Sequence, residues 1–297
     1  MADGGTLYLV ATPIGNLGDV TLRALETLRA VPLIAAEDTR VSRRLLARHE
    51  ISTRMVSYHA QSDPHRSAEL LDHLRGGADL ALVTDAGTPA VSDPGMELAA
   101  AWAAEGGRVE AVPGASAVLV AVAVSGIAGP RWAFEGFLPR SGRERQERLA
   151  RLAADERGAV IFESPGRLRT TLTDLAAACG PDRPAAVCRE LTKLHEQVVR
   201  GTLADLVDAA TNGSIPARGE AVIVVGWSAR PAGGSHLASD GTAGLDLAVA
   251  LARVEALVVA GAARAEAARR VAAETGHTRR SLYRVPQAGG AGQRRRD

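Results

Sequence analysis

Thirty-five basic residues occur in the 297-residue chain, and Lys193 is the single lysine among them; the others are arginine. Arginine replaces lysine wherever a solvated positive charge suffices, but not where a compact, titratable amine is needed. Lys193 lies in "RELTKLHEQ" (189–197), three residues after Glu190. An ammonium at such a place can stabilise a developing oxyanion, and a desolvated amine can accept a proton. A second set of candidates for proton transfer is Glu37 and Asp38 in "AEDTR", with His59 at the end of "RMVSYH". Each also has an ordinary structural use. Glu37 and Asp38 suit the N-cap and first turn of a helix over "TRVSRRLLARH". Glu190 can pair with Arg189 or Arg40, and a lone histidine at a strand end is usually a hydrogen-bonded one.

Other chemistries leave no trace. No G-x-G-x-x-G follows the first apolar run and no G-x-x-x-x-G-K-[ST] occurs, which disfavours a dinucleotide or nucleoside-triphosphate enzyme. The seven histidines are scattered, and Cys179 and Cys188 lack metal or disulfide spacing, so neither a metal site nor a disulfide framework is expected. There is no G-x-S-x-G. The loops are rich in Gly, Pro, Ser, Thr and acid, above all "VTDAGTPAVSDPG" (83–95). That composition suits a neutral or cationic ligand held by backbone groups and carboxylates. In a purely structural role, the same glycines and prolines fix a β–α connection.

The elements that must position these loops are legible as short apolar runs. "TLYLVAT" (6–12), "LIAAE" (33–37), "RMVSYH" (54–59), "LALVTDA" (80–86) and "RVEAVPG" (108–114) read as strands. Between them, apolar residues spaced by three and four predict helices, which gives a mostly parallel, helix-covered sheet. Ligands of such sheets sit beyond the carboxyl ends of the strands, where "TPIGN", "EDTR", "DAGTP" and "PGASA" fall. A second unit has strands at 131–137, 159–164, 185–190, 196–202 and 220–227, of which the third and fourth are so close that only a tight antiparallel turn fits. The fold class is therefore α/β, in two α/β domains (1–127 and 128–229), with a Gly/Ser/Ala-rich linker (230–245) and a basic helical tail (246–297). Within the tail, a helix ending at Gly276 and another begun by Thr278 read as a helix-turn-helix or an ordinary helical pair.

Hydrophobic residues make up 46% of the chain and aromatics 3%, so the core must be built mainly from Ala, Val and Leu. The apolar runs at 117–129 and 247–263 are too short, or too charged, to span a bilayer and read as buried helices. The start lacks a basic segment before its apolar run, so no signal peptide is read and a cytoplasmic protein is expected. Net charge is +1, unevenly divided: residues 262–297 hold nine arginines against three acids. A tail of local charge +6 points to an anionic partner such as nucleic acid, or to a solvated terminus.

Eight segments, in order, carry a resemblance: "TPIGN", "AEDTR", "DAGTP", "VPGASA", "EGFLP", "FESPGR", "RELTK" and "GEAVIVV". From about Thr6 to Trp227 the sequence resembles the tetrapyrrole-methylase superfamily of S-adenosylmethionine-dependent methyltransferases. Within it, "TPIGNLGD", "AEDTR", "SDPG" and "RELTK" resemble the branch that methylates the 2′-oxygen of a cytidine ribose in the decoding region of 16S rRNA. The resemblance implies two α/β domains with S-adenosylmethionine in the cleft between them, the small ribosomal subunit as substrate, and a homodimer. The cofactor is then expected at Pro13, Asp85, Ala86, Gly87, Ser116 and Ala117 in the first domain. In the second it is expected at Glu163, Leu191, Glu220 and Ala221. Lys193, Glu190, Glu37 and Asp38 become the catalytic candidates, and Arg40, Arg279, Arg280 and Arg284 the candidate RNA contacts, with no metal. Two rivals are a non-enzymatic RNA-binding factor and a methylase of small tetrapyrroles; the cleft loops speak against the first, "EDTR" and the arginine-rich tail against the second.

Overall fold

The computed structural model describes residues 4–59, 64–227, 247–259, 261–275 and 277–283. The expected linker at 230–245 lies outside them. The chain divides into two compact units, Met1–Arg230 and Pro231–Asp297.

The first sheet of the larger unit contains β1 (Thr6–Val10), β2 (Leu33–Ala36), β3 (Met55–Ser57), β4 (Leu80–Val83) and β5 (Arg108–Val112). Its order is β3-β2-β4-β1-β5, and every neighbouring pair is parallel. Strands β2 and β4 are buried at every position, as continuous apolar strands covered on both faces must be. On one face Leu25, Leu28 and Leu46, from α1 (Leu22–Ala30) and α2 (Thr39–Arg48), pack against Val10, Ile34 and Val83. On the other, Leu70 and Leu74 of α3 (Pro64–Arg75), with Leu98 and Trp102 of α4 (Met96–Ala104), pack against Leu7, Leu80 and Leu82. The strands are shorter than the apolar runs suggest: "LALVTDA" leaves the sheet at Val83, so Thr84 to Ala86 belong to the loop that the site needs.

The second sheet is mixed, as the short "LTKLH" connection requires. It contains β6 (Trp132–Phe137), β7 (Gly158–Glu163), β8 (Pro184–Arg189), β9 (Gln197–Thr202) and β10 (Ala221–Val225), ordered β6-β7-β10-β8-β9. Only β6 and β7 are parallel. Leu152, Leu168, Leu172, Leu203 and Leu206 cover one face. With α5 given to Ala117–Ser125, they come from α6 (Gly142–Ala154), α7 (Leu168–Cys179) and α8 (Leu203–Thr211).

Helix α5 covers the other face. The sequence places it in the first domain, but Val118 and Ala121 pack with Val160, Ala186, Cys188, Val222 and Val224 of the second sheet. Its sequence, AVLVAVAVS, is apolar all round and rich in β-branched residues, so burial rather than helix propensity holds it. Burial is not complete, however: Leu119 is 58% exposed.

The smaller unit has a core of its own. Ala250 and Val254 of α9 (Leu247–Val259) meet Ala267, Ala268 and Val271 of α10 (Arg264–Thr275) and Leu282 of α11 (Arg279–Tyr283). The Thr278 hydroxyl accepts the Ser281 N–H at 3.2 Å, a cap for the last helix. Among the described residues no helix is long and apolar enough to cross a membrane.

Candidate active site

In the first sheet, adjacent β1 and β4 send their chains in opposite directions, β1 toward β2 and β4 toward β5. A crevice forms beyond such strand ends. The two loops there are tied together: Thr12 and Gly87 exchange backbone hydrogen bonds of 2.8 and 3.1 Å, with Gly87 at φ +83°. Beyond them opens a cleft of about 370 Å³, walled on its other side by loops of the second sheet, and of a size usual for a small-molecule site.

Eight of the ten residues expected at the cofactor line it: Ala86, Gly87, Ser116 and Ala117 on one wall, Glu163, Leu191, Glu220 and Ala221 on the other. Pro13 and Asp85 do not. Pro13 is buried between Thr12 and Ile14, and Asp85 turns to the neighbouring loop, where it accepts the Asp38 N–H at 3.0 Å. The side chains lining the cleft include three carboxylates, Asp93, Glu163 and Glu220, and no lysine, arginine or histidine. Ile14, Phe137, Phe162 and Val222 add apolar surface. Glu163 is buried and held by the Thr171 hydroxyl at 2.6 Å, the Ser164 N–H at 2.8 Å and Arg167 at 3.3 Å.

None of the four catalytic candidates lines the cleft; they lie outside its lining in two separate groups. Glu37 and Asp38 follow β2 beside Asp85, whose N–H donates to Glu37 at 3.3 Å. Burial, the largest influence, pushes the Glu37 carboxyl up, the Asp85 N–H opposes it, and the charges of Asp85 and Asp38 add to it. Asp38 is otherwise engaged. It caps α2 by accepting the Arg40 N–H at 2.8 Å, and the Arg40 guanidinium holds its carboxyl down at about 2. The structural use thus weighs against Asp38 as a base. Arg40 is 86% exposed on that pair, in reach of solvent.

Glu190 and Lys193 form the second group. Lys193 Nζ donates to Glu190 at 2.9 Å and Glu220 at 3.0 Å, so the partner of Glu190 is Lys193 rather than Arg189 or Arg40. Desolvation would lower the Lys193 pKa, but hydrogen bonds to the two carboxylates outweigh it and raise the value. Lys193 therefore stands as an ammonium, and the neutral-amine alternative loses support. The Glu190 carboxyl is held down by the Glu220 N–H first and by Lys193 second. The turn is tight, with Glu190 at φ +51° and Thr192 at +66°, conformations that persist only when surroundings enforce them. Here Thr192 accepts the Asn16 N–H at 3.1 Å, and a Cβ on Gly15 would stand 2.5 Å from Lys193 Cγ. "TPIGN" and "RELTK" thus close on each other.

Sequence reasoning passes over Asp93. Its carboxyl lines the cleft and is pushed up to about 6, by burial first and then by the Glu37 charge, against a hydrogen bond from Thr84. Its one signal is "SDPG", a segment that carries the family resemblance but gives the aspartate itself no role. Of the candidate RNA contacts in the tail, Arg279 is exposed on α11. The Arg280 side chain and Arg284 lie outside the described residues. No group of three or more His, Cys, Asp or Glu among the described residues is arranged to hold a metal ion.

Comparison with known proteins fits this geometry. Residues 6–207 match the family model for Tetrapyrrole (Corrin/Porphyrin) Methylases. "Ribosomal RNA small subunit methyltransferase I" of Synechocystis sp. is 44% identical over 95% of this chain and 97% of its own. The protein of the same name from Halalkalibacterium halodurans is 39% identical over 95% of both chains. Among solved structures, a cobalt precorrin-4 methyltransferase is 25% identical with a TM-score of 0.59, over 76% of this chain and 96% of its own. Uroporphyrin-III C-methyl transferase from Thermus thermophilus, solved with S-adenyl homocysteine, shares the fold at 22% identity and TM-score 0.54, over 75% of this chain and 97% of its own. With most of its length under that family model and near-full-length relatives above 30% identity, the chain belongs to the tetrapyrrole (corrin/porphyrin) methylase family.

Proposed function

We propose that the protein is an S-adenosylmethionine-dependent methyltransferase acting on the 2′-oxygen of a cytidine ribose in the decoding region of 16S rRNA. Its substrate is the small ribosomal subunit, and it works in the cytoplasm as a homodimer. The observation that carries this reading is the 44% identity to the Synechocystis small-subunit rRNA methyltransferase across nearly the whole of both chains. The cleft supports the cofactor independently. S-adenosylmethionine bears a sulfonium and an ammonium, and the cleft offers three carboxylates, apolar walls and no basic side chain.

When bound, the cofactor supplies a methyl carbon made electrophilic by its sulfonium. The protein's residues must then align the acceptor with that carbon, an orientation effect, and must take the proton of a weakly acidic hydroxyl. Asp93 is the group suited to receive that proton. It lines the cleft, and burial and the Glu37 charge push its carboxyl up to about 6, which leaves it ionised at neutral pH yet basic enough to accept a proton. As the ribose oxygen gains the methyl, its proton passes to the Asp93 carboxylate. Glu37, whose carboxyl is also pushed up by burial, lies close enough for its charge to act on Asp93. The Lys193 ammonium fixes Glu220 in the cleft wall through the 3.0 Å contact and sets a positive charge behind that wall.

The test is to incubate the full chain with S-adenosylmethionine and unmethylated small subunits, and to map ribose methylation by mass spectrometry. One 2′-O-methylcytidine in 16S rRNA is expected; methylation of tetrapyrroles alone, or binding without transfer, overturns the reading. EDTA is expected to leave cofactor binding, by calorimetry, and transfer unchanged. Loss of both on chelation would require a metal.

The tail is proposed to hold rRNA. Removing residues 246–297 should leave cofactor affinity intact and weaken subunit binding, because nine arginines leave with the tail's last 36 residues. The log–log salt slope should flatten by roughly 0.7 for each phosphate of a single-stranded segment that the shortened protein no longer neutralises. An unchanged slope would make the tail a solvated appendage.

A further inference from the structure

The chain has three phenylalanines, and all three are in contact. Phe134 meets Phe162 edge-on at 4.9 Å between centroids, and Phe137 meets the same ring, tilted, at 5.6 Å. Strand alternation alone would set residues 134 and 137 on opposite faces. A bulge prevents it: Phe134 pairs with Val160, Gly136 with Ile161 and Phe137 with Phe162, so Glu135 is the extra residue. Gly136, at φ +63°, takes the conformation the kink needs. Bulges re-aim side chains near active sites, and this one turns Phe137 to the face where the cleft lies.

The result is an aromatic ring left in the open. Phe137 is 55% exposed and lines the cleft, although nothing in folding requires so large an apolar group there. Its backbone is unusually well tethered. Arg148 donates to the Glu135 carbonyl at 2.8 Å, Arg167 to the Leu138 carbonyl at 2.8 Å, and Arg145 to the Pro139 carbonyl at 2.9 Å. Arg145 is itself buried and anchored on Asp174 at 2.7 Å. Gly136 also closes on the Asp93 loop, since a Cβ there would lie 3.3 Å from Ser92 Oγ. A fixed, half-exposed ring, backed by a second ring and adjoining the loop of the proposed base, is the arrangement that receives an unstacked nucleobase.

We infer that Phe137 is the stacking platform for the pyrimidine base of the nucleotide whose ribose is methylated, splayed from its neighbours so that its sugar reaches Asp93. This rests on the proposed function and deepens it, because it names what recognises the nucleotide. Stacking uses the π-face of the ring, so another aromatic residue can replace phenylalanine whereas an aliphatic one of similar bulk cannot.

The experiment uses the full chain with Phe137→Ala, Phe137→Leu and Phe137→Trp, unmethylated small subunits and S-adenosylmethionine. Single-turnover transfer is followed across subunit concentrations, with cofactor affinity measured by calorimetry. The alanine and leucine variants are expected to lose roughly tenfold to a hundredfold in transfer at subsaturating subunits. The tryptophan variant should stay within a few-fold of wild type, and all should bind cofactor within about twofold. A leucine variant equal to wild type would reduce Phe137 to an apolar contact, and a matching loss of cofactor affinity would assign the ring to the cofactor; either overturns the platform. Should the alanine variant melt early, the leucine variant, which keeps apolar contact with Phe162, decides. Active wild type with silent variants defeats the platform alone, whereas inactive wild type defeats the substrate assignment beneath it.

Discussion

Asp93→Asn is expected to cut methyl transfer by roughly a hundredfold to ten-thousandfold at pH 7.5, the scale of one acid–base group, while cofactor affinity changes by no more than a few-fold. The wild-type rate should rise about tenfold per pH unit below about 6 and level off above it, because the carboxylate must be ionised to take the hydroxyl proton. The asparagine variant should lack that limb. Stability moves the other way. Native Asp93 keeps its proton from the ordinary 3.8 up to about 6, a window in which the unfolded chain has released it. Its ionisation therefore destabilises the fold as pH rises through that window. Asp93→Asn should melt no lower than wild type at pH 7.5, which separates lost chemistry from lost structure. Single-turnover rates across pH, with thermal melts, make the test; an asparagine variant with the wild-type rate and profile would pass the proton to Glu37 or to solvent.

For Lys193→Arg we expect a folded protein that binds S-adenosylmethionine within a few-fold of wild type but loses on the order of a hundredfold in transfer, the scale of a small misplacement at the site. Arginine serves at every other basic position, so a mere charge would be conserved by this change. The site leaves little room for it. The ammonium sits 2.9 and 3.0 Å from two carboxylates, and its stem lies against Gly15, in space that a single Cβ would overlap. A guanidinium is wider and forked, so it cannot keep both contacts at these lengths, and its charge moves from the place the ammonium holds. Lys193→Ala should be at least as impaired. Because the Lys193 pKa is raised, no rate limb near neutral pH should belong to it. Single-turnover methylation of isolated small subunits, with cofactor affinity in parallel, is the measurement. An arginine variant with full turnover would make the lone lysine an accident of codon usage.

The strands are legible because each is a short apolar run closed by glycine, proline or acid, and the switch-point loops are legible for the same reason. Lys193 stands out by composition alone. Asp38 also yields to local reading, since an acid before "TRVSRRLLARH" is a helix cap by position. What escapes is made by tertiary contact. Asp93 looks like any loop aspartate until burial and the Glu37 charge act on it. By alternation Phe137 points away from Phe134, until a bulge, whose register only the partner strand defines, returns it to the same face. Helix α5 packs on the second sheet although the sequence reading groups it with residues 1–127, because an apolar run does not say what it packs on.

That last helix has a consequence for the chain as it is made. The middle strand of the second sheet, Ala221–Val225, is the last of its strands in the sequence, and α5 rests partly on Val222 and Val224. During translation at about 5–20 residues per second, roughly a hundred residues separate the emergence of α5 from that of its seat. For roughly 5–20 s the nascent chain carries an oily helix whose seat is incomplete, because Val160, Ala186 and Cys188 are made before Val222 and Val224, and a fragment cut after residue 127 would leave the second sheet bare on the opposite side. The first half cannot be released cleanly, nor the second finished, until the final strand arrives: the two sheets mature as one.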